Sequence, residues 1–384
     1  MNRSISTWKR TRAGTLRRGF TLVELLVVIA IIGVLVGLTV PAVFGVRAAF
    51  NRASVKFEVQ ALNDAVENYR SKYGDYPPDG SSWTVLEKHM RKAFPNILQS
   101  ELNLLNPTMF TTSQSGSVAD IRNDNDTTLN GSVPPIHFRV MDPAEALVFF
   151  LGGFSSDAQR PFTGPGGPFA STSVAGQGYQ YNGSRQNPFY EFPSGRLTLD
   201  TLGGFLISTD EILFGEGACQ GGTGKDLLPV YMSKLNDIET GAPYVYFDSR
   251  TYQSIKPGII YFNFYQPSTV TVAAATPRGA LGAARPYLSE PSLTYENKQT
   301  FQILSPGGDG SYGGRIYTEI ARSPGPPATM ILFTSKGSHC SPGPSSFGKV
   351  PGAAFILPEY APKRPMHDNA SNFTETNTLG ENAG

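Results

Sequence analysis

Arg17-Arg18-Gly19-Phe20-Thr21-Leu22-Val23-Glu24 runs straight into Leu25-Leu26-Val27-Val28-Ile29-Ala30-Ile31-Ile32-Gly33-Val34-Leu35-Val36-Gly37-Leu38-Thr39-Val40-Pro41. A basic leader without acids is thus joined to an apolar run that holds one carboxylate near its start. From Leu25 to Phe44 the run is about 20 residues, enough to cross a hydrocarbon layer of about 30 Å. A charge on Glu24 costs roughly 2.5–3.5 kcal/mol in such a layer, so the residue implies a partner. Arg3, Lys9, Arg10, Arg12, Arg17 and Arg18 keep the leader cytoplasmic by the positive-inside bias and send the remaining chain across. A secretory signal peptide also sets a basic segment before an apolar one. This run is too long for the usual apolar region of such a peptide, and no Ala-x-Ala site follows closely. A plain signal anchor fits the run but gives Gly19 and Glu24 no purpose.

The helix is expected to continue beyond the apolar run. Val55, Val59, Leu62, Val66, Tyr69 and Tyr73 recur every three or four residues and make one stripe, with Lys56, Glu58, Asp64, Glu67 and Arg70 elsewhere around the helix. Gly74 and Tyr76-Pro77-Pro78 end it. A continuous helix from Phe20 to Tyr73 would span about 80 Å at about 1.5 Å per residue. Gly33, Gly37 and Pro41 interrupt it, and Pro41, which lacks a backbone donor, is expected to kink or locally melt it.

The string Gly-Phe-Thr-Leu-x-Glu-Leu, set between the basic leader and the apolar run, resembles the type IV prepilin signature. That resemblance implies cleavage by a prepilin peptidase between Gly19 and Phe20 and methylation of the new Phe20 amine. It also implies pairing of that amine with Glu24 of a neighbouring subunit during assembly. Two further islands are similar to major pseudopilins of type II secretion systems. Gly241-Ala242-Pro243-Tyr244-Val245-Tyr246 looks like their Gly-x-Pro-Tyr strand, and Phe301 to Gly314 looks like the strand and glycine-rich loop that follow. The resemblance covers about 20–74, 241–250 and 300–314. It departs in size, because roughly 160 residues between Pro78 and Gly241 have no counterpart in it.

Composition agrees with an extracytoplasmic, loop-rich head. Charged residues are 16% of the chain, against about 25% in ordinary soluble domains, and 41 Gly and 30 Pro point to many turns. The net charge is +1, and losing the six basic leader residues leaves −5, so no nucleic-acid partner is expected. Helices are expected at Trp83–Phe94 and Pro143–Leu151. Strands are expected at 242–247, 258–264, 300–304 and 330–333, between turn residues. Residues 110–133 and 155–188 read as long surface loops. One long helix followed by a sheet is an α+β outline.

In major pseudopilins the loop after the later strand binds calcium, which implies Asp309, Ser305 and the Leu304 carbonyl as ligands here. A tight glycine turn braced by Asp309 explains the same residues. Asp120, Asp124 and Asp126 lack the spacing and the glycine of an EF-hand. Cys219 and Cys340 are the only cysteines, and either form a disulfide outside the cytoplasm or remain two buried thiols. His89, His137, His339 and His367 are scattered without an HExxH pattern. Gly221 to Asp226 falls short of a phosphate loop, since Asp226 stands where a Ser or Thr is needed. Tyr179 and Tyr181 serve either sugar stacking or simple packing.

The sequence therefore predicts a leader over 1–19, an amino-terminal helix over 20–74 that spans the membrane at about 22–44, and a head over 75–384. The head is expected to be an antiparallel sheet with a large loop-rich insertion at about 79–240 and a flexible tail at about 366–384. The expected role is a structural subunit of a type II secretion pseudopilus or type IV pilus-like filament, and not an enzyme. Prepilin peptidase, other pilin or pseudopilin subunits and an inner-membrane assembly platform are the partners this implies. The protein would be single-pass in the inner membrane, with its head in the periplasm or outside the cell. The alternative is a membrane-tethered binding module or enzyme that borrows a pilin-like anchor.

Overall fold

The computed structural model describes residues 21–106, 141–171, 179–198, 228–233, 241–256, 259–262, 265, 284–289, 294–307, 310, 312, 332–333, 339–342, 354–356 and 370–373. The chain divides into two units, Met1–Phe50 and Asn51–Gly384, each taken by itself below. Helix α1, Leu22–Tyr73, contributes to both.

In the first unit, Leu22–Val40 is the one helix among the described residues long and apolar enough to cross a membrane, and its side chains are exposed. Its 19 residues correspond to about 28 Å. Thr39 sends its hydroxyl to the Leu35 carbonyl at 2.9 Å, which satisfies the one hydroxyl of the span within the helix itself. The helix is not melted at Pro41 and does not break at Gly33 or Gly37. A missing proline donor removes one hydrogen bond, and the ladders on either side carry the helix through.

In the second unit the periodic stripe does what its spacing demands. Val55, Val59, Leu62, Val66 and Tyr69 are fully buried, and Tyr73 is half-buried against the same core. Helices α2 (Trp83–Ala93), α3 (Gln99–Asn103) and α4 (Glu145–Leu151) complete the helical side. All seven residues of α4 are buried, as a helix without a polar face requires. Arg185, half-buried, closes the end of α4 by donating to the Val148 and Phe149 carbonyls at 3.0 and 2.5 Å and to Gly153 through Nε at 2.9 Å. A cation at a helix carboxyl end is the favourable placement. Burial nevertheless pulls its guanidinium down to about 10.

The strands are β1 (Phe169–Ser171), β2 (Tyr179–Tyr181), β3 (Leu197–Thr198), β4 (Val230–Tyr231), β5 (Val245–Asp248), β6 (Gln253–Lys256), β7 (Ile259–Phe262), β8 (Phe301–Ser305), β9 (Leu332–Phe333), β10 (His339–Pro342), β11 (Ala354–Ile356) and β12 (Ala370–Ser371). Every pairing among them is antiparallel. The central sheet has the order β12-β8-β5, with Val245 opposite Leu304 and Tyr246 opposite Ile303. Successive side chains alternate between its faces. Tyr244, Tyr246, Phe301 and Ile303 join the core built by α1 and α4, while Val245, Phe247 and Leu304 join a second core with Tyr252, Tyr265, Tyr287 and Tyr312. Both faces of the sheet are therefore covered. With the helices it makes an α+β head of the pilin-like kind.

Several expectations need correction. Within 79–240, where a large loop-rich insertion is expected, the described parts supply α2 to α4 and buried Phe162, Phe169 and Tyr231. The described parts of 155–188 are accordingly core as well as surface, and Tyr179 and Tyr181 lie in β2, half-buried against that core. Residues 110–133 lie outside the described residues. The expected tail is ordered at 370–373. There β12 pairs with β8, Lys56 donates to the Ser371 carbonyl at 2.8 Å, and Asn372 accepts from the Ile303 amide at 2.9 Å. Its small polar residues suit a slot between helix and strand in which backbone groups need partners.

What fixes α1 to the sheet is the Glu58 carboxylate. Arg196 grips it with both terminal nitrogens, the second at 3.0 Å from Oε2, and Tyr244 donates to the same oxygen at 2.6 Å. Tyr231 donates to Oε1, and its ring lies 4.3 Å from the Arg196 guanidinium carbon. Burial works to raise the Glu58 carboxyl, but Arg196 and the two tyrosines outweigh it and hold the group below its ordinary value. Removing one side of a buried pair strands the other, at about 3–5 kcal/mol. Glu58→Gln or Arg196→Met should each lower the free energy of unfolding by about that much. Glu58→Gln with Arg196→Met should cost clearly less than the two single changes together, as read by denaturant titration.

Candidate functional site

The residue on which the sequence reading turns is held by the simplest of helix-start devices. Thr21 precedes α1, and its backbone N–H and its hydroxyl both donate to Oε2 of Glu24, at 2.8 and 2.9 Å. In return the Glu24 amide donates to the Thr21 hydroxyl at 3.2 Å. This is a capping box, in which residues three apart satisfy each other's unpaired groups at a helix start. Among the described residues nothing else bonds the Glu24 carboxylate, and the surrounding side chains are exposed. Gly19 and Phe20 lie outside the described residues. The Thr-x-x-Glu spacing carries the box in plain sight, so Thr21 was legible and was missed. A second box opens α4, where Asp142 accepts from the Ala144 and Glu145 amides while Glu145 accepts from the Asp142 amide.

The loop after β8 is partly described. Ser305 is buried, and its hydroxyl accepts from the Gly307 amide at 3.4 Å. The Leu304 carbonyl receives the Tyr312 hydroxyl at 2.9 Å, and that hydroxyl also reaches the Pro243 carbonyl at 2.6 Å. Asp309 lies outside the described residues. Gly307 and Gly310 take φ of 71° and 76°, the left-handed turn geometry that glycine allows. Ser305 and the Leu304 carbonyl thus serve the local turn and the link to the Pro-Tyr strand. Among the described residues no group of three or more His, Cys, Asp or Glu is placed to hold a metal. Cys340 sits in β10, opposite Ile356 of β11 and Leu332 of β9, and Cys219 lies outside the described residues.

Two buried ionisable groups that the sequence did not single out lie where α1 ends. His89 on α2 meets the Tyr69 hydroxyl through Nε2 at 2.7 Å, among Tyr69 and Phe150 rings. Burial, helped by the Arg250 charge, pushes its imidazole down to about 3. Asp248 ends β5 beside Asp79, a fully buried carboxylate that accepts from the Asp248 amide at 3.0 Å and from the Thr251 hydroxyl at 2.6 Å. Burial and then the Asp79 charge raise the Asp248 carboxyl to about 7 against the pull of Arg250, whose Nη1 reaches Asp75 at 2.8 Å. Gly80 beside Asp79 has φ 77°, and a Cβ there would overlap the Met141 carbonyl.

These two shifts oppose each other. Between about 3 and 6.5 the native state binds fewer protons at His89 than the unfolded state, so stability rises with pH. Between 3.8 and about 7 it binds more at Asp248, so stability falls with pH. In the shared window the contributions offset, each with a limiting slope of about 1.4 kcal/mol per pH unit. His89→Gln should therefore become less stable as pH rises from 4 to 7, and Asp248→Asn more stable. Unfolding curves across that range check it, and variant slopes equal to the parent's would refute it.

Similarity to known proteins is concentrated in the amino-terminal segment. Residues 15–40 match the prokaryotic N-terminal methylation motif. The type II secretion system core protein G of Escherichia coli is 39% identical over 66 residues, 17% of this chain and 46% of the relative. Its counterpart in Klebsiella pneumoniae is 41% identical over 61 residues, 16% of this chain and 44% of the relative. The type IV major pilin protein PilE of Neisseria gonorrhoeae is 40% identical over 70 residues, 18% of this chain and 41% of the relative. The chain thus spans less than half the length of the curated relatives it matches. No solved structure matches it. Through its amino-terminal segment the chain resembles the type IV prepilins, both pseudopilins and pilins.

Proposed function

We propose that this chain is a structural subunit of a pilin-like filament, a type II secretion pseudopilus or a type IV pilus. In this reading prepilin peptidase cuts between Gly19 and Phe20, the Phe20 amine is methylated, and an inner-membrane platform draws the subunit out of the bilayer. The single observation that carries it is the methylation motif over 15–40, joined to an exposed apolar helix with one carboxylate at its start. An ammonium on Phe20 and a carboxylate on Glu24 attract strongly where the dielectric is low, and each relieves the cost of the other's isolation. Other pilin or pseudopilin subunits supply that pairing, and the membrane is the inner one, with the head in the periplasm or outside the cell. Polymerisation and display are the task, without catalysis. Calcium, if the head takes it, would be held by Asp309 with its loop.

Co-expression with a prepilin peptidase should convert the chain to one that begins at methylated Phe20, seen as the intact mass and the terminal fragment. An uncut chain, or one cut elsewhere, would overturn the reading. Glu24→Ala should still insert and be cut, while its yield of filaments falls by about tenfold or more, comparable with losing about 1.4 kcal/mol or more per subunit pairing.

A further inference from the structure

Residues 370–373 are the last described part of the chain, and they sit in a slot whose walls come from elsewhere in the head. β8 pairs with β5 along one edge, and its Phe301 and Ile303 join the core that the stripe of α1 helps to build. On the other edge β12 adds only two pairs, Ala370 opposite Ser305 and Ser371 opposite Leu304. Asn372 takes up both edge groups of Ile303. Its backbone N–H donates to the Ile303 carbonyl at 3.3 Å, and its side-chain oxygen accepts from the Ile303 amide at 2.9 Å. Toward α1, its side-chain nitrogen donates to Asn63 at 3.1 Å, and Lys56 donates to the Ser371 carbonyl at 2.8 Å. Ala370 and Ser371 are buried there, and the Phe373 ring lies 5.8 Å from that of Tyr287.

We propose that the slot between α1 and β8 is a strand-exchange site, which takes Ala370-Ser371-Asn372-Phe373 from its own chain or from a second copy. An extended segment with backbone partners on a sheet edge and side-chain partners beside it is how a sheet binds a peptide. Nothing in these contacts requires that segment and slot belong to one molecule, since Ile303 lies 69 positions from Asn372 and Lys56 315 from Ser371. Exchange keeps every bond, so only the entropy of bringing segment to slot differs between the two forms. A tether holds the chain's own segment at an effective concentration of about millimolar, which favours the closed form when copies are dilute. Copies held side by side in one membrane meet at comparable concentrations, and the two forms then compete. Residues 357–369, between β11 and β12, span at most about 45 Å when extended, a reach that covers a slot on an adjoining copy. The half-buried Lys56 ammonium favours a filled slot over an empty one, because burial penalises its charge and the Ser371 carbonyl offsets that cost. Exchange is thus favoured over simple release. It needs two copies to meet, and does not need the leader to be cut.

The test uses full-length chains carrying Cys219→Ser and Cys340→Ser, so that introduced cysteines are the only ones. Two differently tagged forms, one with Asn63→Cys and one with Asn372→Cys, are expressed together in one membrane and oxidised mildly. A disulfide between positions 63 and 372 should join unlike tags, seen on non-reducing gels and mapped by mass spectrometry. Using Lys88→Cys, on the exposed face of α2, in place of Asn63→Cys should lower the joined fraction about tenfold, because only chance collision remains. A single chain with both Asn63→Cys and Asn372→Cys should bridge within itself, which shows that the segment lies in the slot and that the geometry allows the bond. If that chain bridges internally while unlike tags join no more than with Lys88→Cys, the segment serves only its own molecule and the proposal is overturned. Absence of the bond both within and between chains overturns it as well, since 370–373 then does not occupy the slot. Neither failure bears on the cut between Gly19 and Phe20, so the filament reading stands or falls on its own test.

Discussion

Glu58 rides into an aromatic core on α1, and a charge there costs several kcal/mol unless its partners are in place. The head is arranged to supply them. Arg196 comes from the turn before β3, Tyr231 from β4 and Tyr244 from the approach to β5, so segments 138, 173 and 186 positions away converge on one side chain. Arg196 also donates to the Met232 carbonyl, which ties the pair of short strands to the same point. Hydrophobic burial along the stripe is non-directional and would tolerate some sliding of helix on sheet. A carboxylate gripped from three directions does not. The network therefore sets the register that the stripe leaves loose.

That register explains how a sheet of three short strands suffices. β5 has four residues, β8 five and β12 two. Strands so short cannot hold a sheet by ladder bonds alone. Their stability comes from burial on both faces and from side-chain ties at their ends. Tyr246 reaches the Pro77 carbonyl, Tyr312 bridges the Pro243 and Leu304 carbonyls, and Gln302 bonds the backbone of Tyr287 on both its amide and its carbonyl. Tyr246 and Tyr312 are the means: each adds a large apolar ring and carries a hydroxyl to a backbone carbonyl. The Pro-Tyr motif that resembles major pseudopilins is legible in these terms. Tyr244 is the strand's tie to α1, and Pro243 offers a carbonyl to Tyr312.

Much of this was written in periodicity. The stripe from Val55 to Tyr73, the helix at Trp83, and the strands around Val245 and Phe301 follow from spacing and from turn residues at their ends. What sequence reasoning missed is non-local. Segment 79–240 looks loop-rich because its apolar residues are spread among Gly, Ser and Pro, and only the folded chain gathers Phe162, Phe169 and Tyr231 into one core. The ordering of 370–373 likewise depends on a slot formed by residues more than 300 positions earlier. Asp248 and His89 carry no local mark of their shifted protonation, which comes from burial and from charges on other elements.

The two capping boxes show how one local motif acquires two meanings from its surroundings. Asp142 and Glu145 satisfy each other at the start of a helix that is buried throughout, so their bonds end inside the chain. Thr21 and Glu24 make the same exchange at the start of a helix whose first stretch, Leu22–Val40, has its apolar side chains exposed. There the described residues provide no core and no arginine. Glu58, by contrast, has its counter-charge folded in from the same molecule. A carboxylate that is capped but not neutralised, on a surface that water alone would not favour, leaves a demand that the described residues do not meet among themselves. Lipid cannot meet it, since hydrocarbon offers neither donor nor charge. Only another polar group brought to the same depth can, and a helix amino terminus carrying a fresh ammonium is the group that cleavage before Phe20 would create.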